Sequence, residues 1–276
     1  MAFTKAANTT AARQPVLFIP HGAGPCFFMD WSPADTWKQM GEFLRNVAVT
    51  LPQQPRAIVV VSAHWLATEF QVTGHARPSL IYDYSGFPAH TYELTYPAPG
   101  APALASQVAE QLHKTGLNAG IDQSRGYDHG MFIPMKLMFP RADIPVIQVS
   151  LRTDLNPQGH LEAGRALASL RDEGILIVAT GMSFHNMRGY GDARYSAPSA
   201  AFDEWLTAAV EDTPEQRDRQ LVSWDTAPYA HDCHPAGDEE HLIPLLVAAG
   251  AAQDSPGRRV YTEQVMKTTI SAFRFG

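Results

Sequence analysis

Four short, continuously apolar runs constrain the fold of this 276-residue chain more than any other feature of its sequence. They are PVLFI (15–19), AIVVVSA (57–63), IPVIQVSL (144–151) and ILIVAT (175–180). Each is bounded by Pro, Gly, Asp or a small residue, which is typical of strands buried on both faces. Because helical patterns separate the runs, we predict an α/β fold, with a central, mostly parallel or mixed sheet flanked by helices.

Five stretches have the apolar spacing of helices. The first, SPADTWKQMGEFLRNVAVTL, is predicted to start at Ser32 with Pro33 in its first turn. APALASQVAEQLHKTG and QGHLEAGRALASLRDEG end at Gly116 and Gly174, because glycine commonly terminates helices. PSAAFDEWLTAAVED and HLIPLLVAAGAA complete the predicted helices, and VYTEQV is the last predicted strand.

The chain shows no internal repeat and no linker that would divide it. We predict a flexible N-terminal segment at 1–14, where the residues are small and polar, followed by a single domain at 15–276. The stretch 78–100 carries four tyrosines and four prolines with little periodicity. It predicts a long ordered loop, and such loops often serve function.

Composition limits the partners and the compartment. The chain is 45% hydrophobic and 18% charged, with a formal net charge of −7 and no basic run, so we expect a compact globule that does not bind nucleic acid. Cys26 and Cys233 lie far apart and in no CxxC motif, which favours the cytoplasm over an oxidising compartment. No run approaches the roughly 20 apolar residues of a membrane span. We therefore expect a cytoplasmic protein without membrane contact, either a monomer or a homodimer.

Histidines follow three of the four predicted strands. His21 follows the first run, His64 the second and His185 the fourth. His129 lies at a glycine-flanked turn before a predicted helix, and His241 lies in the first turns of the last helix. Since ligands of open α/β sheets gather at the carboxyl ends of the strands, we expect these imidazoles to meet there.

A metal site explains this pattern better than isolated structural histidines do. Imidazoles from separate chain positions can converge on one ion and leave positions open for substrate, as in catalytic sites. No HExxH or CxxC spacing is present. Four further loop and helix histidines are predicted to be ordinary surface residues: His75, His90, His113 and His160. His231 and His234 precede the last candidate ligand and could support the ligands from outside the metal site.

Six motifs, in order, resemble those of a known enzyme family. They are PHGAGP, VVVSAHW, GFPAHTYELTYPAPG, GYDHGMFIP, DIPVIQVSL and EEHLIPLLVAAGAA. The chain resembles the class III extradiol ring-cleavage dioxygenases over roughly residues 15 to 270, most closely their 4,5-DOPA dioxygenase-like branch and more distantly the catalytic subunit of protocatechuate 4,5-dioxygenase.

The resemblance implies a mononuclear non-haem Fe(II) site in a catalytic domain. Matched by motif, the metal ligands are His21, His64 and His241. A glutamate takes the third place in the protocatechuate branch, so Glu239 or Glu240 could replace or join His241. Zn(II) suits the same nitrogen donors and is the alternative metal.

The resemblance also implies the remaining site residues and the reaction. His185 matches the acid–base catalyst, and His129 matches a residue that stabilises the bound oxygen or diol. Tyr92 and His234 are the predicted substrate-binding residues. A catechol such as DOPA or caffeate would react with O₂ to a muconic semialdehyde-type product.

Two other classes of protein fit parts of the pattern. A zinc hydrolase uses three histidines and an open position in the same way. Memo-like binding proteins resemble the same fold without being enzymes. Arg125, Arg152 and Arg188 are candidates to bind a substrate carboxylate, but the sequence does not orient them.

Overall fold

The computed structural model describes residues 12–276, which form one eight-stranded sheet. The strands are β1 (Val16–Pro20), β2 (Ala57–Ala67), β3 (Phe70–Thr73), β4 (Ala119–Asp122), β5 (Val146–Arg152), β6 (Ile175–Gly181), β7 (Gly257–Val265) and β8 (Thr268–Phe275). Their spatial order is β4-β3-β5-β2-β6-β1-β8-β7.

The four predicted strands form the centre of this sheet. β5, β2, β6 and β1 are adjacent and parallel, and nearly all their residues are buried. On either side, β3 pairs antiparallel with β5 and β8 pairs antiparallel with β1. The predicted mixed α/β sheet is therefore confirmed, and the carboxyl ends of four parallel strands meet at one edge.

Eight helices flank the sheet in the described part of the chain. They are α1 (Lys38–Val47), α2 (Pro102–Lys114), α3 (His129–Met138), α4 (Pro157–Leu167), α5 (Ser196–Glu211), α6 (Pro214–Val222), α7 (Ala230–Cys233) and α8 (Pro244–Ala252). Gly116 follows α2 with φ of +82°. Beyond α4 the chain continues as a 3-10 helix at Ala168–Glu173, and Gly174 ends it with φ of +76°, as predicted for this helical stretch.

Two predicted helix starts are wrong. The first helix begins at Lys38, not Ser32, because the preceding residues form turns in which Lys38 donates to the carbonyl of Asp35. The indole of Trp37, just before it, packs edge-on against Trp31. The last helix begins at Pro244, so that His241 lies in the turn before it.

The hairpin of β7 and β8 has an unusual turn. Met266 and Lys267 connect the strands with φ of +45° and +69°, a left-handed pair that two-residue hairpins require but that normally contains Asn or Gly. The carbonyl of Met266 accepts from the N–H of Gly191, which fastens the turn to the loop after β6. This turn brings Met266 to the carboxyl edge of the sheet.

Residues 1–11 of the predicted N-terminal segment lie outside the described residues. Just after them, Arg13 pairs with Asp172 at 2.7 Å, and Gln14 is buried with its N–H on the carbonyl of Arg171. Across residues 12–276, no helix has the length and apolar character that a membrane crossing needs.

Candidate active site

His21 lies directly after β1, at the centre of the carboxyl edge. Its N–H donates to the carbonyl of Gly181 at the end of β6, and its ring Nδ1 bonds the carbonyl of Gly22 at 2.9 Å. Gly22 has φ of +79°, and a Cβ there would lie 2.6 Å from Cys26 Sγ. Because Nδ1 is held by the main chain, Nε2 is free to face the neighbouring imidazoles.

His64 lies within β2, where the pairing with β5 is irregular between Val61 and Leu66. Such irregularities redirect side chains and occur next to active sites. The ring Nε2 of His64 lies 3.2 Å from Nε2 of His21, and its Nδ1 lies 3.8 Å from the carboxylate of Asp83. The strand therefore continues past His64, which turns into the cavity at this irregularity.

The main chain of His241 rests on the end of β6. Its carbonyl accepts from the N–H of Met182, and a Cβ on Gly181 would lie 2.1 Å from that carbonyl oxygen. Only glycine at 181 therefore allows this approach. The ring Nδ1 of His241 bonds the carboxylate of Glu240 at 2.7 Å.

The three imidazoles form a compact triangle that fits a divalent metal ion. The ring centroids of His21, His64 and His241 are 4.8, 4.9 and 5.2 Å apart. Two nitrogens bound to one ion at about 2.0–2.1 Å are about 3.0–3.4 Å apart. The Nε2 atoms of His21 and His64 lie 3.2 Å apart, within that range. Burial lowers the pKa of all three well below the usual value, with added repulsion from neighbouring imidazoles. The rings are therefore neutral, as metal ligands must be.

His129 and His185 lie on either side of this triangle. The His129 ring centroid is 3.9 Å from that of His64, and its Nδ1 bonds Asp83 at 2.9 Å. His185 stacks on His241 at 3.4 Å between centroids, and burial lowers its pKa to about 4. Five of the six predicted site histidines, all but His234, thus form one cluster.

The N-terminus of α3 fixes the position of His129. Asp128 caps the helix by accepting from the N–H of Met131, and it also accepts from Ser62 Oγ at 2.7 Å. A Cβ on Gly130 would lie 2.8 Å from the ring of His64, so glycine there allows the close approach of α3 to β2.

The cluster lies in a cavity of about 370 Å³, a size suited to a small ligand. Tyr84 lines it, and burial raises the pKa of this phenol to about 12 while its hydroxyl donates to the carbonyl of Thr91. Tyr92 packs behind Tyr84, 5.3 Å between ring centroids, and is not among the lining residues. The loop thus forms a wall, but Tyr84 and not Tyr92 faces the ligand space.

The structure does not support substrate contact by His234, which is completely buried away from the cavity. Its Nε2 bonds the carbonyl of Ser183, and its ring packs against Phe202 and Trp224. The prediction that His160 is a surface residue is wrong, because that side chain is also fully buried.

Sequence reasoning missed the acidic partners and most of the cavity wall. Asp83 lies 46 residues before His129, and no local pattern links the two. Glu240 was considered only as a ligand, and its contact with Nδ1 of His241 was not foreseen. Met187 and Met266 come from loops whose positions depend on the whole fold.

The fold and the imidazole cluster define a class of enzyme. The chain belongs to the family of the catalytic LigB subunit of aromatic ring-opening dioxygenase, whose family model matches residues 15–275. This confirms the predicted extradiol dioxygenase family and decides against a zinc hydrolase or a Memo-like binding protein.

Relatives with a recorded activity agree with this class. The chain is 36% identical to the dioxygenase TasH of Hapsidospora irregularis, over 98% of this chain and 88% of that protein. It is 36% identical to the 4,5-DOPA dioxygenase extradiol of Beta vulgaris, over 86% of this chain and 87% of that one.

The crystal structure of an uncharacterized protein from Escherichia coli K12 superposes with a TM-score of 0.75 at 30% identity, covering 96% of this chain and all of that one. The protein is an extradiol dioxygenase.

Proposed function

We propose that the protein uses Fe(II) to open the ring of a catechol beside its diol, consuming O₂ and giving a muconic semialdehyde-type product. The observation that carries the proposal is the triangle of His21, His64 and His241 beside an aromatic cavity. Fe(II) binds neutral imidazoles well and keeps positions open for substrate and O₂.

The choice of these three ligands rests on the sequence motifs that they match and on the approach of Nε2 of His64 to Nε2 of His21, at 3.2 Å. Donor atoms that all lie within 4.8 Å of one another form two other groups: His21, His64 and His129 in one, and His185, Glu240 and His241 in the other. In the proposed set, Nδ1 of His21 and of His241 is bonded to an oxygen outside the triangle, which leaves Nε2 for the metal. Such outer partners orient metal-binding histidines and raise their basicity.

His185 is the proposed acid–base catalyst. Fe(II) held by the three histidines would supply a Lewis acid for the catechol hydroxyls and a redox centre for O₂. The buried imidazole of His185, with a pKa of about 4, is neutral and can accept the proton that a hydroxyl releases. Its Nδ1 lies 3.9 Å from the carboxylate of Glu240, which stabilises the ring once it is protonated.

His129 is the proposed stabiliser on the other side of the cavity. Asp83 accepts from both its N–H and its ring Nδ1, at 2.9 Å each, which fixes the ring. Nε2 is thereby directed to bond the diol or the oxygen that reacts with it. Tyr84 and Phe87 close the wall and restrict water.

A single comparison tests the function. Iron-loaded wild type, His185→Gln and a control, His75→Gln at an exposed loop position, are given caffeate or 4-methylcatechol under air. We expect one O₂ per ring-opened product for the wild type and the control, and at least a hundredfold lower kcat for H185Q with iron retained. Iron-loaded wild type that consumes no O₂ with any catechol would overturn the proposal.

A further inference from the structure

The cavity walls lack positive charge, and this property bears on the substrate of the proposed ring cleavage. Within residues 12–276, neither Lys nor Arg lines the cavity that holds the histidines. Apart from imidazoles and small residues, its walls are aromatic and thioether side chains: Trp31, Trp37, Tyr84, Phe87, Met187, Tyr190 and Met266.

We propose that the substrate is a catechol whose ring substituent is neutral and apolar, and that carboxylated catechols and catechol amino acids are poor substrates. The proposal rests on the proposed ring cleavage and specifies its substrate class. It differs from DOPA and caffeate, the acids that the sequence resemblance suggested.

Arg125 and Arg152, two of the three arginines that could bind a substrate carboxylate, are paired with carboxylates of the protein itself. Arg125 donates to Asp128 at 3.1 Å and to the carbonyl of His64, and its guanidinium stacks on Trp65. Arg125 therefore holds the main chain of His64 and the carboxylate of Asp128, and its charge is not available to a substrate. Arg152 pairs with Asp154 beside the end of β5 and does not reach the cavity wall.

Arg188 lies in a separate polar depression on the far side of His185. That depression contains three carboxylates, Asp232, Asp238 and Glu240, against the single guanidinium. Its local charge is therefore negative, and a substrate carboxylate would be repelled there.

A second depression adjoins the cavity beyond Trp31 and Met266, which line both. It contains Lys38 and Lys267, but also three carboxylates: Asp35, Glu42 and Glu263. A long substituent that passed between Trp31 and Met266 would thus meet acids in excess of bases.

Negative charge also lies close to the diol position. The carboxylate of Asp83 holds His129, and that of Glu240 holds His241. An unpaired carboxylate loses hydration when it enters an apolar cavity, and no Lys or Arg side chain lines this one to compensate for that loss. A neutral substituent instead gains contact with Trp31, Met187 and Met266.

Matched substrate pairs test the proposal. Caffeate and methyl caffeate differ in charge at one position, as do 3-(3,4-dihydroxyphenyl)propionate and 4-propylcatechol. With iron-loaded wild type, we expect kcat/KM for O₂ uptake to be at least tenfold higher for the neutral member of each pair. Equal or faster turnover of the acids would overturn the proposal while leaving ring cleavage intact.

A charge added at the cavity mouth gives a second test. Met187 lines the cavity and is 74% exposed, so that substitution there leaves the core unchanged. We expect Met187→Arg to raise the acid-to-ester ratio of kcat/KM at least fivefold, whereas Val49→Arg, at a position that is 81% exposed and does not line the cavity, keeps the wild-type ratio. An unchanged ratio in M187R would contradict the proposal. Absence of O₂ uptake with all four catechols would overturn the ring cleavage itself, and the substrate class with it.

Discussion

Histidines are buried both at the carboxyl edge of the sheet and at His160 on α4, and burial alone does not distinguish these two regions. His21 and His241 at the carboxyl edge are 2% and 3% exposed, and His160 in the first turn of α4 is 0% exposed. Burial lowers the pKa of all three imidazoles. The difference lies in their ring nitrogens.

Both ring nitrogens of His160 are bonded to the main chain. Nδ1 bonds the carbonyl of Asn156 at 2.7 Å, and Nε2 accepts from the N–H of Arg152 at 3.0 Å. In His21 and His241, an oxygen holds Nδ1, and Nε2 is left for the cluster. His160 is thus fully satisfied by the protein, whereas His21 and His241 each keep one ring nitrogen available to a metal ion.

The largest expected effect is on iron binding, which should depend on His64 at the carboxyl edge and not on His160. His64→Ala removes a proposed ligand, so we expect iron content below a tenth of wild type and no detectable ring cleavage. His160→Gln leaves the triangle intact and should retain full iron content. Metal analysis after Fe(II) loading and desalting measures both. Full iron content in H64A would remove His64 from the ligand set.

An intermediate effect is expected at the glycine that seats the cluster. A Cβ at Gly181 would lie 2.1 Å from the carbonyl of His241, so Gly181→Ala must displace that segment. We expect Fe(II) affinity to fall roughly 10–100-fold, the range typical when the support of a ligand is lost. The control is Gly159→Ala, whose Cβ would meet Asn156 at an ordinary 3.5 Å. Equal affinities in the two variants would show that Gly181 does not position His241.

The smallest effect concerns stability at His160. His160→Gln loses at least one main-chain bond, and we expect it to lower the unfolding free energy at pH 7 by about 1–2 kcal/mol with unchanged kcat. Urea denaturation of the metal-free proteins measures this. A stability equal to wild type would mean that both bonds are dispensable.

The same pair of proteins tests the pKa of His160. Burial lowers that pKa to about 4 in the folded state, so the unfolded chain binds more protons as pH falls below about 6.5. The wild type therefore loses stability between pH 6.5 and 4, and H160Q lacks this contribution. We expect the difference in unfolding free energy between wild type and H160Q to be about 1–2 kcal/mol smaller at pH 5 than at pH 7. A constant gap would contradict a lowered pKa.

The centre of the fold could be predicted because its strands are buried on both faces, which makes runs such as AIVVVSA continuous. The outer strands β7 and β8 were harder to predict. β8 follows a turn made by Met266 and Lys267, which carries none of the Asn or Gly that marks such hairpins in sequence. Ser32 and Pro33 imitate a helix start, but the packing of Trp37 on Trp31 decides the local structure.

The site, like the fold, has features that the sequence predicts and features that only the packing shows. Histidines after strands could be found because topology brings strand ends together. The roles of Tyr84 and Tyr92 could not be separated, since only their packing shows which one faces the cavity. The surface prediction for His160 failed because both its partners are main-chain groups, which any sequence supplies.

The central claim is that one iron ion binds to His21, His64 and His241. Anomalous diffraction at the iron edge from crystals grown with Fe(II) tests it most directly. We predict a single strong peak at about 2.0–2.3 Å from one nitrogen of each of the three rings, with His129 and His185 outside bonding distance. A peak bonded to His129 or to His185 and Glu240, or no peak in this cavity, would contradict the account.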